Sequence, residues 1–145
     1  MSRYKQVRRL HGLHLMHRKG TAESQTVSMP VPVSVRIPMI QHMGAPCTPL
    51  VKVGDTVKVG QKIGESENKF SVPVHSSVSG VVKSIQDYTA FVSVPAKLVE
   101  IETDGLQTPS EEIAPPEINS KDEFISAVYE SGLAGLGGAG FPGHI

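Results

Sequence analysis

Tryptophan is absent from this chain of 145 residues, which has only three tyrosines and four phenylalanines. Its interior has to be assembled mainly from Val, Ile and Leu, and an aliphatic core of modest size suits a small β domain better than a large enzyme. Cysteine occurs once, at Cys47. One thiol rules out an intrachain disulfide, a cysteine-rich zinc site or an iron–sulfur cluster built from these residues. No apolar run has the length of a signal peptide or a membrane span, which predicts a cytoplasmic location and still allows docking onto a membrane complex. Net charge is also missing, with 14 basic and 14 acidic side chains. The balance hides an asymmetry. Arg3, Lys5, Arg8, Arg9, Arg18 and Lys19 meet no acid in the first twenty residues, whereas Lys121 is the only Lys or Arg from position 101 onward. The basic arm is short and the whole chain lacks the positive excess of a nucleic-acid binder, so a solvated or partner-docking terminus is expected and no nucleic-acid partner.

What is present is mostly strand signal. Val27, Met29, Val31, Val33, Val35, Ile37 and Met39 alternate, the period of a half-buried strand. Pro30, Pro32 and Pro38 interrupt the pattern, which predicts an edge strand or two short ones, because proline donates nothing to a ladder. From Gly44 to Gly80, short Val/Ile stretches are separated by turn signals at Gly54-Asp55, Gly60-Gln61, Gly64 and Ser79-Gly80. Val81, Val82, Ile85, then Phe91, Val92 and Val94, then Leu98 to Ile101 continue the β character. Residues 103–119 are acidic and carry Pro109, Pro115 and Pro116, the composition of a linker. Ser120 and Glu123 have capping-box spacing and open a helix with Phe124, Ile125 and Val128 on one face, stopped at Gly132. A glycine-rich stretch closes the sequence.

Four groups of residues invite a chemical reading. The run Val51 to Ile63 with its Gly-Asp and Gly-Gln turns, followed by Val74 to Val82, resembles the two halves of the biotinyl/lipoyl-like barrel-sandwich fold. In carriers of that fold a hairpin lysine takes the prosthetic group. Lys69 lies eleven residues before Gly80, a similar separation, but Asn68 and Phe70 are not carrier neighbours, so an ordinary turn lysine is expected. The stretch Gly135-Leu136-Gly137-Gly138-Ala139-Gly140-Phe141-Pro142 lets backbone N–H groups converge on phosphate and lets a flat ring approach the main chain. His11, His14 and His17 have helical spacing for a metal, but Gly12 and Gly20 weaken the helix and no acid or cysteine is near, so no metal site is expected. His42 and Cys47 lack an evident orienting acid, and a structural thiol is expected at Cys47. No catalytic residue is assigned.

Together these segments resemble the RnfC family of electron-transport complex proteins. His11-Gly12-Leu13-His14, Ile37 to Pro46 with Val51 to Ile63, Pro73 to Val81, and Gly135 to His144 echo four family motifs in family order, over most of residues 11–145. Gly143 departs from the threonine usual there. The resemblance implies that the complete protein passes electrons between NADH, FMN and iron–sulfur clusters. FMN would be lined in part by Gly135, Gly137, Gly138, Ala139, Gly140 and Phe141, a loop similar to that of the NADH- and FMN-binding subunit of respiratory complex I. The resemblance equally reaches the RnfC-like protein of the proline reductase system. Partners implied are the other members of such a redox complex, with NADH only through sequence beyond this chain, and a place at the inner face of the cell membrane. No cofactor is expected on these residues alone. The expected organisation is mainly β. A basic arm over 1–26 precedes a barrel-sandwich hybrid domain over 27–102 and a linker over 103–119. Residues 120–145 then form a helix and the glycine-rich start of an α/β flavin-binding domain. Because the chain stops inside the glycine motif, the reading frame is expected to continue past codon 145, through a UGA or a corrected base. The alternative function is a stand-alone carrier or binding module that acts through Lys69 or the sandwich surface.

Overall fold

The computed structural model describes residues 20–90 and 93–145. Seven strands and one helix follow in order: β1 Ser34–Pro38, β2 Thr48–Pro49, β3 Thr56–Val57, β4 Lys62–Glu65, β5 Val74–His75, β6 Gly80–Thr89, β7 Pro95–Thr103 and α1 Lys121–Glu130. They build two antiparallel sheets, one ordered β1-β7-β6-β3 and the other β2-β4-β5. The architecture is the mainly β barrel-sandwich expected from the two halves of the motif.

Alternation explains the core. Across the larger sheet, Val35 faces Ile101 and Ile101 faces Val82, while Ile37 faces Val99 and Val99 faces Ile85. These two inward rows meet Val57, Ile63, Val74 and Val78 in one cluster, with Met39 and Cys47 filling it. Between Val82 and Ser84 the register of β6 slips. That bulge keeps both Val82 and Ile85 on the core side although they are three residues apart. The outward positions of β7 carry Glu100, which accepts from Arg36 and Ser84, and Glu102, paired with Lys83.

Three expectations need correction. The alternating run does not begin a strand at Val27: Val27, Met29 and Val33 are more than three-quarters exposed, and β1 starts at Ser34. The prolines supply the reason. Residues 32 and 33 reach the sheet only as acceptors, Pro32 from the Thr103 hydroxyl and Val33 from the Thr103 N–H. β1 does lie at the sheet edge. The pair Ser79-Gly80, expected as a turn, leads directly into β6. Lastly, Phe124 does not share a buried face with Ile125 and Val128. It is 54% exposed, and no residue of α1 is fully buried.

The acidic stretch after β7 is pinned to the sandwich over its first half. Ser79 donates to Asp104 at 2.6 Å and accepts from the Thr108 N–H at 2.9 Å. The Val59 N–H donates to Thr108 and its carbonyl accepts from Ser110, both at 2.9 Å. Lys58 pairs with Glu111, and Ile113 packs over Gly60. The helix cap forms with a shifted return contact. Ser120 Oγ accepts from the Glu123 N–H at 3.2 Å, but the Glu123 carboxylate accepts from the Asn119 N–H rather than that of Ser120.

Candidate functional site

The glycine-rich stretch folds back on itself. Ala134 pairs with Pro142, the Gly135 N–H donates to Phe141 at 2.8 Å, and the Gly143 N–H donates to Leu133 at 2.8 Å. Gly138 and Gly140 take positive φ, +89° and +63°, a region that costs a side-chain-bearing residue about 1–2 kcal/mol. At the tip, Leu136 is fully exposed, and a Cβ at Gly137 or Gly138 would meet nothing within 4 Å. The backbone N–H groups of Leu136, Gly137, Gly138 and Gly140 donate to no described residue. One loop therefore holds all six predicted cofactor-lining residues, and its tip offers free amides with no side chain in the way. That arrangement fits a phosphate or the face of a flat ring.

The base of the loop sits on the sandwich. Phe141 packs its ring edge-on against Phe70, with centroids 5.4 Å apart. The Met43 N–H donates to the Gly140 carbonyl at 3.1 Å, and Pro142 is buried. His144 donates through Nε2 to the Lys69 carbonyl at 3.0 Å and stacks edge-on against Tyr129 of α1. Lys62 is bracketed by Glu65 at 3.2 Å and Glu130 at 2.5 Å, tying β4 to the end of the helix. The tip of the β4–β5 hairpin, where carriers of this fold present their lysine, is thus the seat of the C-terminal segment. Lys69 keeps an exposed side chain, but its own carbonyl and its neighbour Phe70 are engaged.

His42 anchors the turn beneath. The ring is buried, with the Gly44 N–H 3.0 Å from Nδ1 and the Val72 N–H 3.2 Å from Nε2. A neutral imidazole has one acceptor, so each tautomer satisfies one of these donors. With the proton on Nε2, the ring can donate to Ser71 Oγ at 3.4 Å. Burial holds its pKa below the usual 6.5, and a second ring proton would face backbone N–H groups on both sides. Cys47 shares Ser71 with it at 3.7 Å and donates to the Val72 carbonyl at 3.2 Å. Burial raises the thiol pKa above 9.0, so the pair is structural, as the missing acid predicted.

Sequence reasoning did not find Phe70 or His144 as partners of the loop. An isolated aromatic and a terminal histidine carry no periodic signal, and only folding brings positions 70 and 141 together. His11, His14 and His17 lie outside the described residues. Among those described, no three metal-ligating side chains cluster, and no helix is long and apolar enough to cross a membrane.

Two small sheets closed around an aliphatic core, with a lysine-bearing hairpin and a docked glycine loop, define a barrel-sandwich hybrid domain. The chain belongs to the RnfC family, whose barrel sandwich hybrid domain matches residues 8–106. It is 44% identical over 138 residues to the RnfC-type member of the Na(+)-translocating ferredoxin:NAD(+) oxidoreductase complex of Acetobacterium woodii, covering 92% of this chain and 31% of that protein. Its counterpart in the proton-translocating ferredoxin:NAD(+) oxidoreductase complex of Clostridium ljungdahlii is 38% identical, with coverages of 88% and 29%. The counterpart in the ion-translocating oxidoreductase complex of Haemophilus influenzae is 33% identical, with coverages of 90% and 21%. The chain spans less than a third of the length of these curated relatives. None of these three carries a proline reductase name.

Proposed function

We propose that this chain is the N-terminal part of an electron-transfer protein that works as the RnfC member of an ion-translocating oxidoreductase complex. The complete protein would pass electrons between NADH, FMN and iron–sulfur clusters, lying peripherally at the cytoplasmic face of the membrane with the rest of the complex as partners. A flavin, when bound, supplies the exchange between two-electron and one-electron chemistry. In this reading residues 27–102 form the sandwich and 103–119 the connection. Residues 120–145 open the flavin-binding domain, and the sandwich is the scaffold that holds the glycine loop in place. Free amides at Leu136, Gly137, Gly138 and Gly140 would receive the phosphate or ring of the flavin, while Phe141 and Pro142 anchor the base of the loop.

The observation that carries the scaffold role over a carrier role is the occupied hairpin tip. Phe70 and the Lys69 carbonyl are bonded to the C-terminal segment, so the tip is not free to swing. The test compares this chain with one extended through its reading frame beyond codon 145, each titrated with FMN, and weighs this chain after expression with biotin or lipoyl ligase. Tight FMN binding by the extended chain and an unmodified mass support the proposal. An adduct at Lys69, or an extended chain that binds no FMN, overturns it.

A further inference from the structure

Between the sandwich and the ascending limb of the glycine loop lies a cavity of about 400 Å³, within the range of small-molecule sites. One wall is the backbone from Ser131 to Leu136. The other is Val72 to His75, with Gln41 and His42 at one end. Gly132 keeps this space open. It sits at φ +67°, and a Cβ there would come within 2.7 Å of the Pro73 carbonyl and 3.0 Å of His75 Nδ1. His75 is half-buried on β5, opposite Lys62, whose ammonium is held by Glu65 and Glu130. Unlike His42, the His75 ring has no hydrogen bond to any described residue. Burial first, then the Lys62 cation, lower its pKa below 6.5, against a smaller opposing pull from Glu130. At neutral pH it is an uncharged imidazole with one donor and one acceptor unspent.

We propose that His75 is a ligand-facing residue of the glycine-loop site, so that the sandwich supplies a hydrogen-bonding side chain to the ring edge of a bound flavin nucleotide. The inference rests on the flavin reading of the loop given above. Its chemistry is that of a fused ring edge with alternating carbonyl acceptors and N–H donors, which a neutral imidazole and the Gln41 amide can match. The loop amides would meanwhile take the phosphate. A purely structural histidine in a fold this small would spend its ring nitrogens on the backbone, as His42 does.

The test is an FMN titration of the full-length protein that contains this chain, followed by quenching of flavin fluorescence. Wild type, His75→Leu and His75→Gln are compared, with thermal melting of each and a parallel NADH titration. Loss of one hydrogen bond to the ligand weakens FMN about three- to tenfold in His75→Leu. His75→Gln should recover most of that loss, with melting temperatures close to wild type. An unchanged FMN affinity in His75→Leu overturns the inference while leaving the loop reading intact. So does a loss seen for NADH alone, or one matched by a fall in melting temperature in both variants. A wild-type protein that binds no FMN overturns the loop reading itself.

Discussion

Replacing Phe141 with alanine should release the glycine loop without unfolding the sandwich. The ring is 46% exposed, so roughly half of its surface is covered, worth about 1 kcal/mol on the usual scale for burying a phenylalanine. The edge-to-face contact with Phe70, at 5.4 Å and 79°, adds about 0.5–1.5 kcal/mol. A total near 2 kcal/mol corresponds to about a 30-fold rise in local opening. Amide hydrogen exchange reads this directly. The Met43 N–H, bonded to Gly140, and the Gly135 N–H, bonded to Phe141, should exchange about 30 times faster. The Val82 N–H, bonded to Asp55 inside the sandwich, should keep its rate. Phe70→Ala should do the same, and a double-mutant cycle should show a coupling of about 1 kcal/mol. Equal acceleration at Val82 would mean that loop and sandwich open as one unit. No change at Met43 would mean that the aromatic contact does not hold the loop. Either result refutes the docking argument.

Gly44→Ala should destabilise the whole sandwich by about 1–3 kcal/mol, read as a lower urea midpoint at unchanged m. Its Cβ would lie 2.0 Å from the Phe70 carbonyl oxygen, which accepts from the Ala45 N–H, so backbone must move. Stability should fall as pH drops below about 6.5, because His42 and His75 titrate below that value when folded and near it when unfolded. In that window the unfolded chain binds more protons. The urea midpoint at pH 5.5 should therefore lie below that at pH 7.5, and a flat or rising profile would contradict the burial of the two rings. The exposed carboxylates with lowered pKa, Asp87, Glu100, Asp104 and Glu111, act at lower pH, from about 4.5 downward.

Much of the sandwich was legible in the sequence because its cause is local. Period-two runs of Val and Ile identify strands whichever partner they find, and Gly-Asp and Gly-Gln mark turns by their own backbone preference. The absence of tryptophan and the single cysteine already described the core, and the four ordered motifs pointed to the family. The helix cap was readable to within one residue. The run from Val27 to Val33 misled because its alternation is the same whether or not prolines leave it a place in a ladder.

Tertiary structure alone decided what the hairpin tip does. Nothing local distinguishes a lysine that carries a prosthetic group from one whose neighbours seat another segment. That distinction lies between Phe70 and Phe141 and between Lys69 and His144, pairs more than seventy residues apart. The two histidines illustrate the same point. Each stands in a recognisable motif, yet the roles of His42, satisfied by two backbone donors, and His75, left unpaired beside a cavity, were set by what the folded chain brought against each ring. Periodicity and turn chemistry belong to neighbours in sequence. Burial, docking and the state of a ring nitrogen belong to neighbours in space.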